Sequence, residues 1–405
     1  MLVESHVAFA QQSILTEPED VAGNRSQPDY DPMGIKLGSF VLRPTLSISP
    51  DFNSNIFTQK DDAKSDASVT ITPTITAALK RPGQSFAVTG RMKARRYANF
   101  NGQNYEEYRL DTSGFAELPE AITLAANVGW SESTTSRGSF ENDLQIGSPL
   151  KKRDFSSSLF LKKRFNRLSI DGAFTASKFT YGDVRLDSGV VIDQGFRDGH
   201  RIGGRVGAAF GISPLLSFQV KGSYDSFDYN EPRALFDRDA HSYSLTAGLR
   251  YELTRLLVAE INAGLRRHKF KNSTFPDIEG LALSAQLRWY PTPLVSVRMD
   301  LDQSTTTSSF DSVSAVTVTN FKLGADYEYR RNVVLSAEIQ GSLEEYQGIE
   351  AAAKRVSITG RAEWKLNRRF SLRGYSSFDI RTGSGSPLVP SYNAFKAGGS
   401  VVLAI

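Results

Sequence analysis

The chain has 405 residues, a net charge of +4, a pI near 9.0, 40% hydrophobic residues and a mean hydropathy of -0.31. It has no run of about 20 apolar residues that could cross a bilayer as a helix, and its basic excess is too small and dispersed for a nucleic-acid surface. The absence of cysteine excludes a disulfide framework and a thiolate metal site.

Along the chain, Ala8-Phe9-Ala10-Gln11-Gln12 has the small-x-small form of a secretory cleavage site. Met1 to Val7 lacks the positive start and full apolar stretch of a complete leader, so residues 1–10 read as the remnant of a signal peptide. Residues 11–37, rich in Pro, Asp, Gln and Ser, read as a flexible periplasmic segment.

From residue 38 to 405 one unit recurs: an alternating apolar/polar run, a tight turn, a second such run and a longer polar loop. One cycle places Tyr243, Leu245, Ala247, Leu249, Tyr251 and Leu253 in alternation with polar residues or glycine. After the turn Thr254-Arg255, the pattern resumes with Leu257, Ala259, Ile261, Ala263 and Leu265. Period two is the signature of half-buried strands. Strands are expected near 38–49, 68–79, 85–100, 104–118, 121–133, 154–165, 168–181, 199–212, 215–228, 241–253, 256–270, 280–290, 294–305, 315–329, 332–345, 355–366, 369–381 and 394–405. That gives an all-β chain of about 18 strands, with 16 as the alternative if 85–118 is misread.

Short turns at Pro119, Asn166-Arg167, Pro214, Thr254-Arg255, Pro291-Thr292-Pro293, Arg331 and Asn367-Arg368 alternate with long loops near 134–153, 182–198, 229–240, 271–279, 306–314, 346–354 and 382–393. No linker divides the chain into soluble domains. The pattern therefore predicts a transmembrane antiparallel up-and-down β-barrel, apolar face to lipid and polar face to a water-filled lumen. Aromatics support this: Phe165, Phe210, Tyr251, Trp289, Tyr329, Trp364 and Phe370 lie near the short turns. Tyr97, Phe100, Tyr105, Trp130, Phe179, Tyr224, Phe227, Tyr243 and Phe378 lie near the long loops, making two interfacial belts.

The last strand, with Lys396, Gly398, Val401, Leu403 and Ile405, resembles the signal read by outer-membrane insertion machinery, although Ile405 replaces the usual terminal aromatic. Near the other end stand Gly38-Ser39-Phe40, Pro44, Asp51-Phe52-Asn53-Ser54-Asn55-Ile56-Phe57, Ser65-Asp66 and Thr72-Pro73. This stretch resembles the opening of the putative β-barrel porin-2 family of bacterial outer-membrane proteins, which implies location and architecture but no defined substrate.

Chemistry-bearing groups are few. Of four histidines, His6 lies in the leader remnant, His200 and His241 at loop ends of strands, and His268 on the lumen face. No phosphate-binding loop or metal-spaced cluster appears, and neither catalysis nor a cofactor is expected. The lipid face assigned to Val206, Phe218, Leu249, Ile261, Leu287, Val297 and Leu323 turns Arg205, Lys221, Arg250, Arg266, Arg288, Arg298 and Lys322 inward. Arg91, Lys93 and Arg95 join them from the third strand. Such cations either attract anions into the lumen or pair with inward Asp171, Glu260, Asp300, Asp326, Glu338 and Glu363. Gly203, Gly207 and Gly211 either relieve crowding on the inner wall or make room for an inward loop, 134–153 or 182–198.

The expectation is a pore for small hydrophilic solutes, anions among them, in contact with outer-membrane lipid and the insertion machinery, as monomer or trimer. A polysaccharide export conduit and a non-conducting structural or adhesin barrel are the alternatives.

Overall fold

The computed structural model describes residues 22, 25–140, 142, 147–186, 188–230, 237–253, 256–273, 275–306, 313–387 and 389–405. Residues 1–10, read as a leader remnant, and the turn Thr254-Arg255 lie outside the described residues.

A two-faced strand in lipid must find partners at both edges, because an orphan N–H or C=O there costs several kcal/mol. The chain meets this demand as a closed antiparallel barrel of 18 strands. A short strand, β1 (Ile35–Leu37), folds back on β2 (Phe40–Asn53). There follow β3 (Asp66–Arg81), β4 (Gln84–Tyr97), β5 (Tyr105–Leu118), β6 (Ile122–Thr134), β7 (Lys151–Phe165) and β8 (Leu168–Tyr181). A small excursion, β9 (Val184–Arg185) with β10 (Val191–Ile192), precedes β11 (Gly199–Gly211), β12 (Leu216–Tyr229), β13 (Ala240–Leu253) and β14 (Leu257–Phe270). The ring is completed by β15 (Ile278–Thr292), β16 (Val295–Thr306), β17 (Ala315–Arg330), β18 (Val333–Gln347), β19 (Ala351–Lys365), β20 (Phe370–Ser384) and β21 (Tyr392–Ala404). β8 pairs with β11 across the excursion, and β2 with β21 closes the wall.

The 16-strand alternative is excluded. The doubtful stretch forms a continuous ladder between β4 and β5, from Gln84↔Ala116 to Arg95↔Tyr105. Its connection is a 3-10 turn at Asn101–Gln103, anchored where the Asp66 carboxylate accepts the backbone N–H groups of Asn99 and Phe100 at 3.1 and 3.0 Å. β2 runs four residues beyond its expected end. Pro50, which has no N–H to give a ladder, hides that extension in the sequence, and the β2–β21 ladder lacks pairs at Ser49 and Pro50 but keeps one register from Ile48↔Val401 to Asp51↔Gly398.

The alternation sorts the faces as expected. Val206, Leu245, Ile261 and Leu265 are 61–70% exposed on the outer surface. Across β13–β14, Leu245↔Leu265, Ala247↔Ala263 and Leu249↔Ile261 face outward, while Arg250↔Glu260 faces inward. One corner departs from this rule. At the start of β17 the apolar residues Val316 and Val318 point inward, and the outward phase of Phe321 and Tyr327 begins only after Asn320. There the usual polarity of the wall is reversed.

Candidate functional site: the lumen

The inner wall is a lattice of opposite charges. Lys93 reaches Glu107 (2.9 Å) and Tyr105 Oη (3.2 Å), and Arg95 reaches Asp51 (2.6 Å). Arg205 lies 3.8 Å from Asp171, Lys221 2.6 Å from Glu260, and Arg250 3.2 Å from Glu252 and 3.8 Å from Glu260. Arg288 pairs with Asp300 (2.7 Å), Arg298 with Asp326 (2.5 Å) and Lys322 with Glu338 (3.1 Å). Glu363 is taken by Arg373 (2.8 Å). Such pairs present dipoles, not net charge, to the lumen, and their far field falls off faster than that of a lone cation.

Among the described residues, Arg91, Arg266 and His268 have no ion-pair partner. Arg91 is exposed to the lumen. The Arg266 Nε and Nη1 and the His268 Nδ1 are buried and lack hydrogen-bond partners. The inward cations singled out from the sequence thus divide into a paired majority and these exceptions. Most pairs join neighbouring strands, because residues opposite one another across a ladder share a face, while Lys221–Glu260 and Arg95–Asp51 each reach over one intervening strand.

The described residues of the β6–β7 connection, 135–140, 142 and 147–150, contact distant parts of the barrel. Leu150 packs with Tyr181 and Val184, and Ser148 exchanges hydrogen bonds with Arg185, its N–H reaching the Arg185 carbonyl at 2.8 Å. Residues 137–140 make contacts elsewhere. Arg137 lies over the Phe57 ring (5.5 Å), and the Tyr392 hydroxyl donates to the Gly138 carbonyl at 3.2 Å. Gly138 has φ +65° and sits so close to Tyr392 and Thr58 that any side chain there would collide with them. Phe140 packs on a buried group made by Val313, Val316, Val318, Tyr346, Ala353 and Val389. β17 lies half-way round the ring from β6, so Phe140, soon after the end of β6, touches the opposite wall.

The short-turn end is also furnished. Ser296 donates to the carbonyl of Ala22 (3.3 Å), Gln27 to Glu328 (3.3 Å), and Arg368 to the carbonyl of Pro28 (2.8 Å). Asp31 pairs with Lys365 at 2.6 Å. The described part of the segment expected at 11–37 therefore lies along the turns joining β15–β16 and β19–β20. At the opposite end, outside the wall, Lys271 is held above the ordinary lysine range by the hydrogen bonds it donates to Asp228 and Asp239.

Other candidate residues find definite places. Gly203 and Gly207 lie against Asp225 and Asp171: an added Cβ at Gly207 would meet the Asp171 Oδ1 at 2.8 Å. These glycines make space for inward carboxylates, and the β6–β7 connection makes its contacts elsewhere. Of the loop-side aromatics, Trp130, Tyr224, Tyr243 and Phe378 face outward. Tyr105 is buried on the lumen side beside Lys93, and Phe227 packs inward on His268. His200 and His241 sit on the outward face, where Tyr224 Oη lies 2.9 Å from His241 Nδ1. Sequence reading had not placed a histidine there. In the terminal strand Lys396 turns inward to Asp379 (2.8 Å), Gly398 admits the Tyr375 ring, and Val401, Leu403 and Ile405 face outward.

A closed antiparallel wall with an apolar outer face, aromatic residues at both rims and a charged lumen defines an outer-membrane β-barrel. The family described as "Putative beta-barrel porin 2" matches residues 27–392, and the chain belongs to it. Comparison with curated proteins finds no match. Among solved structures the chain is similar to OccK1 (OpdK) of Pseudomonas aeruginosa, at 9% identity over 90% of this chain and 99% of that one, TM-score 0.43. It is also similar to the siderophore receptor PirA of Acinetobacter baumannii, at 8% identity over 90% and 80%, TM-score 0.46.

Proposed function

We propose that the chain is a porin-like channel through which small hydrophilic solutes diffuse passively, with segment 135–150 setting the size limit. Transport without catalysis is the role this reading gives it, with outer-membrane lipid and the insertion machinery as its partners. The observation that carries it is the combination of a charge-paired, water-compatible lumen with the contacts of Arg137, Gly138 and Phe140 to distant parts of the barrel. Ion preference in such a lumen comes from unpaired cations such as Arg91, not from the paired ones, and is weakly towards anions.

Shortening the segment tests the size limit. Replacing residues 136–148 by a short Gly/Ser turn is expected to raise single-channel conductance and to admit larger sugars in liposome-swelling assays. Unchanged conductance and cut-off would show that the segment does not limit passage. The export alternative rests on a different observation, the inward Tyr97, Tyr105 and Tyr375 grouped around Arg95, whose guanidinium lies over the Tyr97 ring at 5.6 Å. Protection of the channel by oligosaccharides, read as blockade lost in Tyr97→Ala, would favour it.

A further inference from the structure

The wall is discontinuous at one corner. From the Pro293-Leu294 turn, the β15–β16 ladder reaches Ser284↔Asp302 and stops. Among the described residues, the β16-facing edge of β15 from Ile278 to Leu283 has no strand partner, and β16 beyond Asp302 is paired with β17 alone. An open edge at membrane depth is tolerated only where protein covers it or where it lines a polar cavity.

Both conditions are met because the start of β17 is tucked inside. Ala315, Val316, Thr317 and Val318 are 0–4% exposed, so both faces of the strand are covered. Ala315, on the outward face, packs against Ala240, Phe270 and Ile278, which point inward from β13, β14 and β15. Two layers of wall therefore overlap. Arg266 and His268 face this interlayer from β14, opposite Gly280 and Ile278 in the ladder. Gln303, Thr305 and Thr317 occupy the outward face of the tucked strands. All five carry buried polar atoms without hydrogen-bond partners. Beside Gly280 there is open space: an added Cβ would meet nothing within 4 Å.

On the lipid side the same edge borders an apolar groove of about 1170 Å³, floored by Gly172, Gly204 and Gly222, walled by Phe174 and Leu265, and ending at Leu281. Apolar groove, free edge and cationic interlayer thus lie in sequence across the wall.

We propose that the wall parts between β15 and β16, and that an amphipathic molecule with one long alkyl chain and an anionic head moves there between lumen and lipid-facing groove. Its head takes the buried guanidinium of Arg266 and the imidazole of His268, groups that an anion satisfies, and its chain lies in the groove. This function is additional to diffusion of hydrophilic solutes and does not depend on it.

The full chain in nanodiscs is exposed to a long-chain alkyl carboxylate bearing a diazirine on the chain, irradiated, and mapped by mass spectrometry. Labelling is expected both in the groove around Leu265 and Leu281 and in the interlayer around Thr305 and Thr317. Because the chain has no cysteine, Ile278→Cys with Ala315→Cys places a single staple across the overlap. Oxidation should abolish interlayer labelling, leave groove labelling and ion conductance unchanged, and be reversed by reductant. Gly280→Trp, which fills the open space, should act likewise without a disulfide and decides the matter if the stapled form fails to fold. Arg266→Ala should weaken probe binding roughly tenfold, the loss of one charge-assisted hydrogen bond. Labelling confined to the groove in unlocked protein, or interlayer labelling that persists in both locked forms, overturns the proposal. A fall in ion conductance on locking overturns it too, because the corner would then be part of the aqueous pore.

Discussion

Replacing Arg381 by methionine is expected to destabilise the folded barrel by about 3–5 kcal/mol, the cost of leaving a buried charge without its partner. The Arg381 side chain is 0% exposed and the Glu344 side chain 2%, with 2.7 Å between them, and Arg381 also donates to the Tyr346 hydroxyl at 2.7 Å. Removing the guanidinium leaves the buried Glu344 carboxylate without a counter-charge, held only by two hydroxyls, Ser342 at 3.2 Å and Tyr346 at 3.3 Å. Urea unfolding in lipid, read by the tryptophans, measures the loss. Trp130, Trp289 and Trp364 all face outward, so their emission follows insertion. Adding Glu344→Gln should recover most of the stability, since no charge is then stranded. An equal loss in single and double variants would place the effect in packing instead.

Arginine at Ala247 should be poorly tolerated, with a cost of roughly 2–4 kcal/mol near the bilayer midplane. Ala247 stands outward between Val220 and Ala263, whereas Thr246, its neighbour in sequence, faces the lumen. Arginine at Leu249, nearer the rim, should cost less, and arginine at Thr246 least, because water reaches that face. The same refolding assay ranks the three. Equal tolerance at Ala247 and Thr246 would mean that the strand is slipped by one residue, which exchanges its faces.

These assignments were legible in sequence because lipid imposes one rule on every strand. The run from Tyr243 to Leu265 states that rule twice around a turn, and the ladder Leu245↔Leu265, Ala247↔Ala263 follows it directly. The paired state of Lys221 or Arg288 was less legible. Alternation shows that Glu260 and Asp300 share their face, but pairing depends on register between strands, which turn lengths fix only approximately.

Sequence narrowed the inward loop to 134–153 or 182–198 but could not say which, nor where it goes. Segment 135–150 has no periodicity, and its destination is set by contacts to Phe57, Tyr392 and Val316 from distant parts of the chain. The corner at β15–β16 did leave a trace. In Ala315-Val316-Thr317-Val318-Thr319 the apolar phase is opposite to that of Phe321, Leu323 and Ala325. A reversed phase within one strand says that its two halves meet different surroundings, and here the first half is tucked within the wall.

Current through single barrels in a planar bilayer tests the central reading most directly. The full chain should produce discrete conductance steps with a slight anion preference in a salt gradient, weakening as salt shortens the Debye length from about 10 Å at 0.1 M. Exchanging Arg288 and Asp300 together for glutamine and asparagine should leave that preference nearly unchanged, because a pair contributes little net field, whereas Arg91→Glu should move it towards cations. Correctly inserted barrels that carry no current would contradict the account, since the lumen would then be closed and the diffusion reading would fail.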